Sequence, residues 1–338
     1  NMDRSGASCY VYAKASGMLS KSFVGSKGMA LFNARTLQEL WGMLFKDEVP
    51  SVPQTMLAEL IEKKATQKFI SEFIHLLDFY SRPDEVSIEL LRWFDFENLK
   101  EAAALLATGR SDSCKFNKIT PYNLLKYEKW PDIKKMTEGT ELSWYDKVPS
   151  VMEQQELSNK LDIQFIKAVW DAAQKLHSSE RDVVQKVIAD RYSMKNVIWV
   201  MRLKVYYNMT PEQIKNRLVY FDETERSKDD LFAGEALKII DFKTDSYEDW
   251  ANWKYLPLIN EAEDSKLWKL NPQVVEERVS KRFYRLMKQS FHKYPFTAMV
   301  LVCWFFIKQN ELDFIRTATE AIRLNVDQEQ MLKIVNSL

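Results

Sequence analysis

The stretch FTAMVLVCWFFI, Phe296 to Ile307, passes twelve residues with one hydroxyl and no charge. Its reading decides between a membrane protein and a water-facing helical one. Twelve helical residues reach about 18 Å at 1.5 Å each. A bilayer's hydrocarbon core needs about 30 Å, roughly 20 residues. Lys308 and Glu311 follow directly, too polar to lengthen a span, and Pro295 stands where the first turn of a helix accepts it. The spacing therefore predicts a helix buried on all sides in a protein core. It is expected to continue through Lys308 to about Arg323, with no segment crossing a membrane.

Outward from this run, helical spacing recurs along the chain. In TMLAELIEKKATQKFISEFIHLLDFY, Thr55 to Tyr80, the apolar residues Leu57, Leu60, Ile61, Ala65, Phe69 and Phe73 fall at steps of three and four. SIELLRWFDFENLKEAAALLATG, Ser87 to Gly109, reads as a further helix that Gly109 can end. LSNKLDIQFIKAVWDAAQKL, RDVVQKVIADRYSMKNVIWVMRLKVYY and NPQVVEERVSKRFYRLMKQSF, with Pro272 near its start, follow the same period. No segment alternates with period two. Only 8 glycines occur in 338 residues, about 2% against a usual ~7%, too few for the turns of a β-rich protein. The GSKG of Gly25 to Gly28 reads as a turn. Trp41, Trp93, Trp170, Trp199 and Trp304 lie in apolar helical patterns and read as core; Trp250 and Trp253, three apart, share a face. The fold class is all-α.

The chain also resembles itself. NMTPEQIKNRL, Asn208 to Leu218, matches NVDQEQMLKIV, Asn325 to Val335, at Asn208/Asn325, Glu212/Glu329 and Gln213/Gln330, with Thr210 and Asp327 as N-caps. Each follows an apolar helix, and a third copy of that helix begins at Glu97. Upstream, TLQELWGML from Thr36 matches SYEDWANWKYL from Ser246, both patterned as capping boxes; a middle counterpart lies near Lys129 to Met136. Order and spacing together imply three tandem helical units, residues 1–115, 116–222 and 223–338, in one continuous body.

Chemistry-bearing motifs are scarce. Lys+Arg and Asp+Glu balance at 48 each, which disfavours a nucleic-acid binder. No phosphate-binding G-x-x-x-x-G-K-[ST] occurs, and His75, His177 and His292 have no zinc-site spacing. Cys9, Cys114 and Cys303 suggest neither disulfides nor a metal centre, which fits a reducing compartment. The N-terminal residues lack an apolar core with a cleavage site, so no signal peptide is expected. No cofactor, metal or catalytic residue is expected. One polar set stands out: Glu97 and Lys100, Arg202 and Lys204, Glu311 and Arg316 place charge in corresponding, otherwise apolar helices. They read either as salt bridges between packed helices or as a polar lining of a central concavity that receives a partner; buried charge needs a partner in both cases.

The segments YVYAKASGMLSKSFVGSKGMALFNARTLQELWGML, LLRWFDFENLKEAAALL, LDIQFIKAVWDAAQKL, KNVIWVMRLKVYYNMTPEQI and YPFTAMVLVCWFFIKQNELDFIR keep this order over nearly the whole chain. Together they resemble the C-type stalk component of archaeal and bacterial V/A-type ATPases, whose counterpart in eukaryotic V-ATPases is the d-type component. The third unit departs from the family's Asn-Leu-Arg-like core with DFIR, Asp313 to Arg316. The middle unit keeps Asn196 in NVIW without the basic residue. The resemblance implies a pseudo-threefold helical funnel and a non-catalytic rotor part. Its partners would be the central-stalk subunits and the proteolipid ring of the same ATPase, and it would lie on the cytoplasmic side of the membrane through that complex. A helical scaffold outside any ATPase is the alternative, and a helical enzyme a distant third.

Overall fold

The computed structural model describes residues 3–112, 114–264 and 266–325, and among these no strand occurs. The helices are α1 (Arg4–Ser20), α2 (Leu37–Leu44), α3 (Gln54–Leu77), α4 (Glu85–Leu91), α5 (Trp93–Ala107), α6 (Ile133–Thr137), α7 (Gln154–Gln174), α8 (Ser178–Tyr207), α9 (Pro211–Lys215), α10 (Gly234–Ile239), α11 (Tyr247–Trp250), α12 (Pro272–Lys293) and α13 (Met299–Arg323). Short 3-10 helices cover Gly25–Asn33, Tyr127–Lys129 and Leu256–Leu258.

The apolar run becomes the centre of the molecule. Met299 through Ile307 are all buried, each at most 4% exposed. The helix they open, α13, packs against α12, α3, α1, α4 and the Gly25–Asn33 helix. A helix surrounded this way has no face to leave polar, which explains a composition that mimics a span. Among the described residues no helix is long and apolar enough to cross a membrane. The helix starts three residues later than the run. Phe296 is 51% exposed with φ 68°, in a turn closed by Thr297, whose hydroxyl donates to the Tyr294 carbonyl and accepts from the Met299 N–H. Pro295 thus precedes the helix rather than opening it. The far end, Arg323, is where the pattern places it.

Local chemistry sets the other boundaries. Thr36 accepts from the Glu39 N–H at 3.1 Å, while Glu39 reaches back to the Arg35 N–H. Thr210 and Gln213 form a reciprocal capping box, and Pro211 and Pro272 occupy first turns. The box expected at Ser246 does not form: Asp249 accepts from the Lys243 N–H instead, and α11 stays one turn long. The helix expected over 87–109 is two helices. At Arg92, with ψ −10°, the turn tightens, and the Asp95 N–H bonds to the carbonyl three residues back. The Arg92 side chain is held by Glu89 and the Tyr122 carbonyl. GSKG is no simple turn but opens the Gly25–Asn33 helix. There a Cβ on Gly28 would stand 2.9 Å from the Phe314 ring, so only glycine admits this contact with α13.

The buried apolar residues form two clusters. One joins the helices of the N-terminal half to Phe283, Met287, Phe291 and α13. The other gathers α9, α10 and α11 against the C-terminal half of α8 and the start of α12. The long helices α8 and α12 contribute to both, and tie the two regions into one body. Trp41, Trp250, Trp253 and Trp304 are in these cores; Trp93, Trp170 and Trp199 are half-buried on their edges. Trp250 and Trp253 meet edge to face at 5.6 Å.

Candidate functional site

Four long helices, α7, α8, α12 and α13, leave a cavity of about 1020 Å³ between them. Its wall mixes apolar and charged groups. From α8 come Arg191, Lys195, Trp199 and Arg202, at successive steps of four, four and three that keep them on one face. Asp162 comes from α7, Glu276 and Glu277 from α12, and Asp313, Arg316 and Glu320 from α13.

The six residues singled out by sequence divide. Arg202 and Arg316 line the cavity, paired with Glu276 at 3.5 Å and Asp313 at 3.4 Å. Glu97 and Lys100 stand behind its wall. Lys100 donates to Glu97 at 2.9 Å and to Asp162 at 2.6 Å, tying α5 to α7. Burial opposes the Lys100 charge, but the two carboxylates outweigh it and raise its pKa. Lys204 points elsewhere: its ammonium donates to the Ile240 carbonyl at 2.7 Å and to that of Phe242, past the C-terminal end of α10. A cation there meets the carbonyls that a helix leaves unpaired. Glu311, half-buried, is structural as well. It accepts from the Phe23 N–H at 2.6 Å and from Lys308 at 2.6 Å, and Lys308 also donates to Ser22.

Sequence reasoning passed over Arg191 and Lys195, which carry the cavity's least ordinary electrostatics. The Arg191 guanidinium lies 4.6 Å from the Phe283 ring centre and 5.3 Å from that of Phe306, a double cation–π contact. Burial lowers its pKa. Lys195 opens into the cavity, its ammonium 5.6 Å from the Tyr192 ring centre. Recession from bulk solvent, with the Arg191 charge second, pulls its pKa down to about 7. The signal was the i, i+4 placement on the face that also bears Arg202, a spacing that shows a shared face without showing what the face meets.

Two asparagines do matching structural work. The Asn98 side chain accepts from the Asn117 N–H at 3.1 Å and donates to the Asn117 carbonyl at 2.9 Å. Asn196 does the same with Val219, at 3.0 and 2.7 Å. Each amide thus imitates a strand partner for a segment some twenty residues on. Asp95, fully buried one turn before Asn98, accepts from the Leu124 N–H and the Tyr127 hydroxyl. Burial raises its pKa despite these donors.

No group of three or more metal-ligating side chains occurs among the described residues. The cavity offers helical walls and distributed charge. The sequence model of the ATP synthase (C/AC39) subunit matches residues 11–334. The chain belongs to this family. It is therefore a non-catalytic stalk component of the V/A-type ATPase kind, and the expectation of no enzymatic activity holds. An uncharacterized protein of Treponema pallidum (strain Nichols) is 25% identical over 325 residues, covering 95% of this chain and 94% of its own.

Proposed function

We propose that this AC39-family chain is a rotor adaptor. It links the central stalk to the membrane proteolipid ring and passes rotation between the nucleotide-handling head and the ion-translocating ring. The observation that carries this is the charged cavity between α7, α8, α12 and α13, a socket of helical dimensions in a body of stalk-subunit family. Arg202 and Arg316 belong to the socket wall, Glu97 and Lys100 brace it through Asp162, and Lys204 and Glu311 stiffen the frame. Torque transfer needs stiffness more than chemistry, and helices with shared cores supply it. The complex holds the chain on the cytoplasmic face of the membrane.

The body is built as three units, 1–115, 116–222 and 223–338, arranged as a pseudo-threefold funnel. Two observations support this. Asn98 and Asn196 make the same bracket. Left-handed residues Gly109, Asn208 and Asn325 follow Asn98, Asn196 and Phe314 by 11, 12 and 11 residues and stop α5, α8 and α13. The matched segment Asn325 to Val335 lies, after its first residue, outside the described residues.

Reconstitution tests the function. The ATPase assembled without this chain should hydrolyse ATP but not drive ion transport, and adding the chain should restore transport. Full coupling in its absence would sink the proposal.

A further inference from the structure

The charges in the cavity do not cancel locally. Every lining carboxylate already has an ion-pair partner: Asp162 with Lys100, Glu276 with Arg202, Glu277 with Lys281, Asp313 with Arg316, Glu320 with Arg323. Arg191 and Lys195 have none among the described residues. They stand one turn apart on α8, where like charges repel. The Phe283 and Phe306 rings cover Arg191, but π contacts use its charge and not its N–H donors; its Nε is buried without a hydrogen-bond partner. A guanidinium in this state is costly unless an acceptor arrives.

We propose that Arg191 and Lys195 form the acceptor site for an acidic segment of the central stalk, one that brings at least two carboxylates into the cavity. This rests on the socket reading above and adds the chemistry of what enters. The volume favours a polypeptide over a free anion: about 1020 Å³ holds about two turns of a helix ~10–12 Å across, far more than a phosphate fills. The wall agrees, since Trp199, Met287 and Phe306 offer apolar contact beside the two cations. A carboxylate reaching Lys195 would also hold its proton, against the recession from bulk solvent and the nearby Arg191 charge that lower its pKa. The other charged groups around it are Asp162, Asp313 with Arg316, Glu276 and Glu277 with Arg202, Glu320, Glu97 behind the wall, and Arg217, a further lining cation that lies beyond α9.

Calorimetric titration of the purified chain with the purified central-stalk subunits of the same complex tests this. Lys195→Glu should weaken binding at least tenfold with the circular dichroism spectrum unchanged, since Lys195 is open to the cavity. Lys195→Arg should keep wild-type affinity. Wild-type affinity should fall as pH rises from 6.5 to 8.5, and Lys195→Arg should flatten that fall because arginine stays charged. Lys14→Glu, exposed on α1 outside the cavity, should change nothing. Unchanged affinity in Lys195→Glu overturns this inference and leaves the socket standing. Wild-type chain that does not bind the stalk overturns both. Saturable binding of inorganic phosphate, lost in Lys195→Glu while stalk affinity is kept, would assign the pair to a free anion and overturn the inference too.

Discussion

Phe305 shows how much a single side chain carries here. It is fully buried, with ring centres of Phe69 and Phe73 at 5.2 and 5.5 Å. Phe305→Ala should cost about 3–5 kcal/mol through the cavity it leaves, read as a lowered denaturant midpoint; a loss under about 1 kcal/mol would mean the site collapses or is not packed as described. Lys308, 3% exposed, is a second such residue. Removing its nearer partner by Glu311→Ala should cost about 1–3 kcal/mol, because the buried ammonium keeps only the Glu72 carboxylate at 4.0 Å and the Phe23 N–H loses its acceptor. Adding Lys308→Met should recover part of that loss in the same denaturation assay. Lys195 differs in kind. Its folded pKa of about 7 lies below the usual lysine value of 10.5, so between these the unfolded chain binds more protons and stability rises with pH. The penalty is present below pH 7 and is small, because Lys195 is open to solvent in the cavity. Denaturant midpoints of the isolated chain should climb from pH 7 to 10, and Lys195→Met should show a smaller climb; identical slopes would rule Lys195 out as the source.

Elements in this chain are joined by close contacts that spacing does not disclose. Gly28 lets the Gly25–Asn33 helix sit against α13 beneath Phe314. Gly28→Ala should destabilise by about 1–3 kcal/mol through overpacking, and Phe314→Leu added to it should return part of the loss. Should the alanine variant melt at the wild-type temperature, the two elements are not in the contact described. The Asn98 and Asn196 brackets hold the chain after α5 and α8 back against those helices. The helices themselves were legible: α3, α7, α8 and α12 follow apolar residues at steps of three and four, and α13 opens on a continuous apolar run. The break at Arg92 was not, because an apolar pattern continues smoothly through a single tightened turn. The capping pattern at Ser246 misled for a related reason: Asp249 found a better donor in the Lys243 N–H, and local pairing won over the cap.

Across the whole molecule the balance of charge and the helical composition lead to one expectation about activity. ATP with Mg²⁺ titrated into the purified chain should give no saturable micromolar binding, because no phosphate-cradling loop is present in the sequence and the family is non-catalytic. Saturable binding would contradict that reading. Circular dichroism should be helix-dominated; strand content near the globular average of about 20–25% would count against the fold. The two cores, bridged by α8 and α12, predict a single cooperative unfolding transition, since neither core closes without helices that also serve the other.

What the sequence by itself determined is whatever depends on residues near one another along the chain. Periodicity made helices, Gly109 and Pro272 marked helix ends, and twelve apolar residues were too few to span a bilayer. Family membership was legible for the same reason, as ordered motifs read along the chain. Only the tertiary structure decided the fate of each charge. Arg202, Lys204 and Arg316 look alike in sequence, yet Arg202 and Arg316 face a cavity and Lys204 meets carbonyls beyond α10. Arg191 and Lys195 drew no notice in sequence, and in the fold they are the cavity cations on α8 left without carboxylates. Electrostatic partnership is set by distance in space, between residues as far apart along the chain as Glu72 and Lys308, and no local pattern encodes which helices will meet.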